Sequence, residues 1–407
     1  MLKNLSFNKC DIYIFIWGLY SLQGFLYPRG QINFLLQLIL IVWGISTIVP
    51  WGISNNRIIK SCYLLLLMYI IYGGSYLIEP LGYRDYNGVL FSRYQYLQSS
   101  LNSLLPIITF YVYTLRGYLD QKRVVVYSIY FLIIYIFVYY QKQQELIIAF
   151  SSERIDRVEF TNNTSYNFLA LIPLVFFMYK RPLLQYFYLS VVIYFIIMGM
   201  KRGAILLMAL SLLFFIFENY RLNNSKFNRW LIIIITLFLG IGIYYSVSYM
   251  MDNSYYFMHR WELTMTGDSS GRDSIYSATW NGIINESSLL LMLFGRGAYS
   301  TVIFSGHLAH HDWLEVLCNN GFVGGIILAT FFVSILVMAY SSKNILPRYM
   351  YNSFILVFYI AFLKTFFSMS IQDMELCQSL LIGYLAANYE VLIDDEYEYF
   401  DSFTQLP

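Results

Sequence analysis

Charge is what this sequence has least of. Asp, Glu, Lys and Arg together make up 12% of its 407 residues, about half the roughly 25% of a soluble globular domain, while 58% of the chain is apolar. A soluble fold of this length has nowhere to bury so much hydrocarbon, whereas about twelve helices of about 20 residues would place it against lipid. No basic stripe is available to nucleic acid either, because 26 Lys and Arg against 24 Asp and Glu leave a net charge of only +2. Cysteine is equally sparse. Cys10, Cys62, Cys318 and Cys377 stand alone, without the paired spacing of a zinc site or a disulfide framework, and read as packing residues. Aromatic residues are plentiful: 40 Tyr and 33 Phe suffice for wide belts at two membrane interfaces.

Apolar runs separated by Pro, Gly, Asn and charge clusters predict an all-α integral membrane protein with about twelve spans, at 11–27, 31–50, 58–82, 99–119, 123–140, 166–179, 183–200, 203–218, 230–250, 313–340, 350–369 and 374–392. The first run follows Lys3 and Lys9 but ends at Pro28-Arg29-Gly30 without a small-x-small cleavage pattern, so it reads as a span rather than a signal peptide. Residues 1–407 form one polytopic domain. With the N-terminus placed in the cytoplasm, basic residues such as Arg57, Lys60, Lys122, Arg123, Lys180, Arg181 and Arg229 crowd short inner joins, the arrangement expected of cytoplasmic loops. Both termini are then cytoplasmic, in a multi-pass protein of a bacterial inner membrane.

Three segments face outward in this topology: 83–98; 141–165, with Glu153, Arg154, Asp156, Arg157 and Glu159; and 251–312. The mixed charges of the second read as a solvated surface. The third is too long for a passive connection, and its Trp261, Trp280 and Leu289 to Phe294 argue for order.

All four histidines, His259, His307, His310 and His311, fall in this third segment. His307-x-x-His310-His311-Asp312 offers nitrogen and oxygen ligands, but neighbours in sequence seldom converge on one ion, and no helical His pair is present. No metal site and no cofactor are therefore expected. A neutral imidazole near pH 7 is better suited to removing a proton from a hydroxyl as it attacks. A second polar group is cationic. Lys201-Arg202 sits between two apolar runs with no acidic neighbour in sequence, on the outer side, where positive charge is not called for by topology; an anionic headgroup would explain it. Gly271-Arg272-Asp273 and Gly295-Arg296-Gly297 add arginines beside glycines, which serve turns or close backbone approach to a ligand.

In order along the chain, Met200-Lys201-Arg202-Gly203-Ala204-Ile205-Leu206, Ser270-Gly271-Arg272 through Trp280 to Leu293-Phe294-Gly295-Arg296-Gly297, and Ala309-His310-His311-Asp312-Trp313-Leu314 through Gly321 and Gly324 resemble the O-antigen ligase and O-antigen polymerase family. Its members are membrane glycosyltransferases that handle undecaprenyl-pyrophosphate-linked glycans on the periplasmic side. His311 stands where the family commonly has Asn, and Asn319 where it often has an acidic residue.

The resemblance implies a polytopic glycosyltransferase with a large periplasmic loop at 251–312. It implies Arg202 and Arg272, with Lys201 and Arg296, on the donor pyrophosphate, His310 as general base, and His307, His311 and Asp312 in support. The expected partners are an undecaprenyl-pyrophosphate-linked oligosaccharide, membrane lipid and other polysaccharide-assembly membrane proteins. The implied activity is capsular or O-antigen polymerisation onto another lipid-linked repeat unit, inverting and independent of metal. The alternative is ligation onto lipid A core. A transporter or flippase would instead require polar residues buried along a conduit, and Lys364 is the visible one within the spans.

Overall fold

The computed structural model describes residues 7–23, 26, 30–52, 54–74, 82–85, 88, 90–151, 162–222, 226–253, 258, 262 and 271–404. Helices account for most of them. The long ones are α1 (Lys9–Ser21), α2 (Gln31–Ile48), α3 (Arg57–Gly74), α4 (Arg93–Leu115) and α5 (Gln121–Ser151). They are followed by a short α6 (Ser165–Leu169) continued by a 3-10 stretch (Ile172–Met178), then α7 (Pro182–Met198), α8 (Arg202–Leu222) and α9 (Lys226–Asn253). Three small helices come next, α10 (Arg272–Ile284), α11 (Leu289–Phe294) and α12 (Thr301–Ser305), before the long α13 (Asp312–Ser341), α14 (Arg348–Lys364) and α15 (Leu376–Thr404). A two-stranded antiparallel hairpin, Tyr83–Arg84 with Leu90–Phe91, precedes α4.

Local chemistry sets several of these starts. Asn8 caps α1, accepting from the backbone of Cys10 and Asp11, while the Asp11 carboxylate accepts in return from the Asn8 N–H at 2.7 Å. Ser92 and Gln95 make the same reciprocal pair at α4. Pro182 opens α7, where a missing N–H costs nothing.

Among the described residues, six helices are long and apolar enough to cross a membrane: Gln31–Trp51, Arg57–Gly74, Gln121–Leu146, Arg202–Leu222, Asp312–Asn344 and Leu376–Ile393. Each of the other expected spans also falls on a helical element, but α1 and α7 have only 13 and 17 residues. The stretch expected at 166–179 is divided between α6 and the 3-10 turn. The apolar surface is lipid-like. Leu35, Ile71, Leu213 and Ile326 point outward, while Tyr69, Tyr96, Phe168 and Phe176 fill the interior, so the bundle is hydrophobic on both faces, as a membrane protein must be. The packing centre is α4, which lies against α2, α3 and α15. All four cysteines are free and buried in this packing.

Of the residues singled out in 251–312, Trp280 and Leu289 to Phe294 lie on α10 and α11, and Trp261 lies outside the described residues. The segment's path back to the bundle depends on two glycines. Gly321 interrupts α13 with φ 68° and ψ −168°, and the chain from Leu293 to Gly297 crosses at that break. A side-chain carbon on Gly321 would lie 2.3 Å from the Leu293 carbonyl oxygen, and one on Gly295 would lie 2.4 Å from the Asn319 carbonyl. Backbone hydrogen bonds run through the gap, Arg296 N–H to Cys318 O at 3.0 Å and Gly297 N–H to Asn319 O at 2.9 Å. Gly295, on one side of Arg296, therefore admits protein backbone rather than a ligand.

Candidate functional site

One end of the bundle gathers the polar residues. Lys201, at the α7–α8 join, Arg272, the first residue of α10, and His310, just before α13, all line a single cavity of about 620 Å³. Tyr166, Tyr299, Gln372 and Asp373 complete much of its wall.

The backbone around this cavity is held out of its ordinary range. Met200, Tyr299 and His310, with φ of 54°, 60° and 51°, are the non-glycine residues in the left-handed region among the described residues. Two of them line the cavity and the third precedes Lys201. Such conformations cost about 1–3 kcal/mol each and persist where the surroundings over-determine them.

Two buried carboxylates supply that determination. Glu315, one turn into α13, accepts the backbone N–H of Ala309 at 2.5 Å and the Thr301 hydroxyl at 2.8 Å, and also takes a backbone bond from His310. Asp312 accepts the N–H groups of Ser370 at 2.6 Å and Ile371 at 3.1 Å, while its own N–H donates to Thr365 O at 3.0 Å. The two acids thereby fasten the His310 turn and the 365–373 turn to the same helix end. Arg272 is steadied from one side by a bond from Nη1 to the Phe367 carbonyl at 3.2 Å and a contact with the Tyr276 hydroxyl.

The expected site residues thus divide. Lys201, Arg272 and His310 come together. Arg202 does not join the lining; it opens α8, and its neighbour Lys201 supplies the cation instead. Arg296 is directed elsewhere, pairing with Glu286 and lying over the Phe304 ring. His307 sits in a turn bracketed by the Ser305 hydroxyl, off the cavity wall. His311 caps α13 through Nδ1, accepting from Leu314 N–H at 3.4 Å, and its ring is edge-on to Tyr276 and Phe366. Burial in that contact pushes the imidazole below its ordinary value. Support from His311 and Asp312 is therefore structural, by capping and by holding backbone. His259 and Ser270 lie outside the described residues, as do Glu153, Arg154, Asp156, Arg157 and Glu159. Among the described residues, no three His, Cys, Asp or Glu side chains come together to hold a metal ion.

The 368–373 turn went unrecognised in the sequence. Asp373 is exposed to the cavity, and the low-dielectric wall around it pushes its carboxyl above the usual carboxylate range, with the Lys364 ammonium pulling the other way. Lys364 is 3% exposed. Its Nζ donates to the Asp373 carbonyl at 2.9 Å and lies 5.4 Å from the centre of the Tyr166 ring. The charge that looked misplaced in a span anchors the cavity wall. A signal was present: 368–375 carries two carboxylates between two apolar runs and begins four residues after that lysine.

Comparison of the sequence with the known protein families and with curated proteins finds no match.

Proposed function

We propose that the chain is a glycosyltransferase of the membrane, moving a glycan from undecaprenyl pyrophosphate to a hydroxyl of another lipid-linked repeat unit, in the manner of the family it resembles. In this reading the twelve helical stretches cross a bacterial inner membrane, both termini are cytoplasmic, and the cavity opens to the periplasm. The observation that carries it is the convergence of Lys201, Arg272 and His310, from three distant parts of the chain, on one cavity at the end of an apolar bundle.

The chemistry follows from charge. The acceptor oxygen forms a bond to the anomeric carbon as the bond from that carbon to the diphosphate oxygen breaks, and the hydroxyl proton passes to the His310 imidazole. Negative charge grows on the departing diphosphate, where the Lys201 ammonium and the Arg272 guanidinium stabilise it in a site they already occupy. Arg272 offers two parallel N–H bonds to phosphate oxygens and Lys201 a point charge. A single displacement inverts the anomeric carbon. The strained turn at His310 keeps the base in place while the substrate exchanges.

The test is release of undecaprenyl pyrophosphate, with matching growth of the glycan, by purified protein given lipid-linked repeat units. Wild-type protein should perform both, and His310→Ala and Arg272→Ala should lose both by at least about 100-fold. Wild-type protein that releases no undecaprenyl pyrophosphate overturns the reading, and undiminished transfer by His310→Ala removes the base.

A further inference from the structure

The cationic cavity adjoins a second chamber of about 400 Å³. Ser99, Asn163, Tyr166, Ser368, Gln372 and Asp373 line both spaces, so the two are neighbours with one wall in common. Beyond that wall the chemistry changes. Neither Lys201 nor Arg272 lines the second chamber. Its lysine, Lys364, directs its ammonium to the Asp373 carbonyl, and its lining includes Glu375, whose carboxylate accepts from the Tyr135 hydroxyl at 2.8 Å.

Two features of the remaining wall point to a ligand. First, the side-chain amides of Asn102, Asn167 and Gln372 border the chamber and make no hydrogen bond among the described residues. Each brings a donor pair and an acceptor, in one plane, to the open space. Second, Trp17 in the second half of α1 borders the same space and is held edge-on by Phe131 at 5.2 Å and Tyr135 at 5.9 Å, so the indole is rigid. A pyranose ring presents an apolar C–H face and a rim of hydroxyls. A fixed aromatic surface beside unpaired amides matches both, since the face can stack and the hydroxyls can exchange paired bonds with the amides. A phosphate would meet the Glu375 and Asp373 carboxylates and a lysine whose ammonium already donates to the Asp373 carbonyl, and a lipid tail would strand the amides.

We propose that this chamber is a saccharide subsite for a neutral or amino-bearing pyranoside, with Trp17 as its stacking surface and Asn102, Asn167 and Gln372 as its hydroxyl partners. Its place next to the cations makes the sugar the terminal residue of the acceptor, delivered to Asp373 and His310 across the shared wall. The term acceptor rests on the function proposed above; sugar binding does not. The carboxylates of Glu375 and Asp373 disfavour a uronate at the same position.

The experiment is saturation-transfer NMR on the full chain in a detergent without a sugar headgroup. The probes are neutral trisaccharides of hexose and of N-acetylhexosamine, and a uronate-containing trisaccharide of matched size. Wild-type protein should transfer saturation to a neutral probe more strongly than to the uronate. Trp17→Leu and Asn102→Leu should each weaken the effect about fivefold or more, with Trp17→Phe restoring part of it. Arg272→Ala should retain it. Melting temperature identifies any variant that fails to fold, and Gln372→Leu then serves in its place. No transfer to any neutral probe, equal transfer by wild type and the folded Leu variants, or a preference for the uronate overturns the subsite. The two proposals fail separately. Sugar binding without undecaprenyl pyrophosphate release keeps the subsite and removes the transfer reaction, while release without chamber-dependent sugar binding does the reverse.

Discussion

The Glu315 carboxylate accepts the Ala309 backbone N–H at 2.5 Å, which ties the first turn of α13 to the residue before His310. Glu315→Gln replaces one acceptor oxygen by an N–H₂ group facing donors. The loss should be about 1–3 kcal/mol of stability, together with a fall in kcat at nearly constant KM for the lipid-linked donor, because Lys201 and Arg272 are untouched. Calorimetry and steady-state rates on the purified variant measure the two effects. An unchanged kcat would show that the turn needs no such support.

Arg272 and Arg296 look equivalent in sequence and have opposite surroundings in the fold. Arg272→Ala should abolish turnover. Arg296→Ala loses a pair with Glu286 that lies off the cavity wall, so its rate should stay within about threefold of wild type. Comparable losses in both variants would return Arg296 to the site.

Gly321→Ala meets the Leu293 carbonyl at 2.3 Å in a backbone with φ 68°. A destabilisation of about 3 kcal/mol or more should follow. Gly240→Ala has nothing within 4 Å of its new carbon and lies in α9, so it should be neutral or stabilising by up to about 1 kcal/mol. Thermal unfolding of both variants in detergent decides.

His311 gives the protein a pH dependence of known sign. Burial lowers its folded-state value below the ordinary 6.5, so on acidification the unfolded chain takes up the proton first. The contribution to stability is full above about pH 6.5 and is lost as pH falls toward the folded value. His311→Asn keeps an acceptor at the helix cap and removes the titration. Between about pH 7.5 and pH 5 wild-type protein should therefore lose more melting temperature than the variant; parallel losses would rule the imidazole out.

Lys364→Met removes the ammonium that bonds the Asp373 carbonyl and attracts Asp312, Asp373 and Glu375. Stability should drop by about 1–3 kcal/mol, and the turn carrying Gln372 and Asp373 should exchange its amides faster. Unaltered exchange at 368–373 would count against an anchoring role.

Hydrocarbon content alone made this a helical membrane protein, since 12% charge cannot clothe a soluble fold of 407 residues. The described part of each apolar run lies largely on a helical element, as expected of a chain that must satisfy its backbone within itself. The order of Lys201, Arg272 and His310 along the chain was also legible, each standing out as charge or imidazole at the edge of an apolar run. Which of two adjacent cations reaches the cavity was not: Lys201 and Arg202 differ by one step, and the left-handed turn at Met200 directs that step. Nor could spacing show that Gly295 and Gly321 close on each other, that Asp312 and Glu315 hold backbone, or that Asn102 and Trp17 border the same chamber as Glu375. Those facts depend on how helices far apart in sequence pack, and only the tertiary structure brings their ends together.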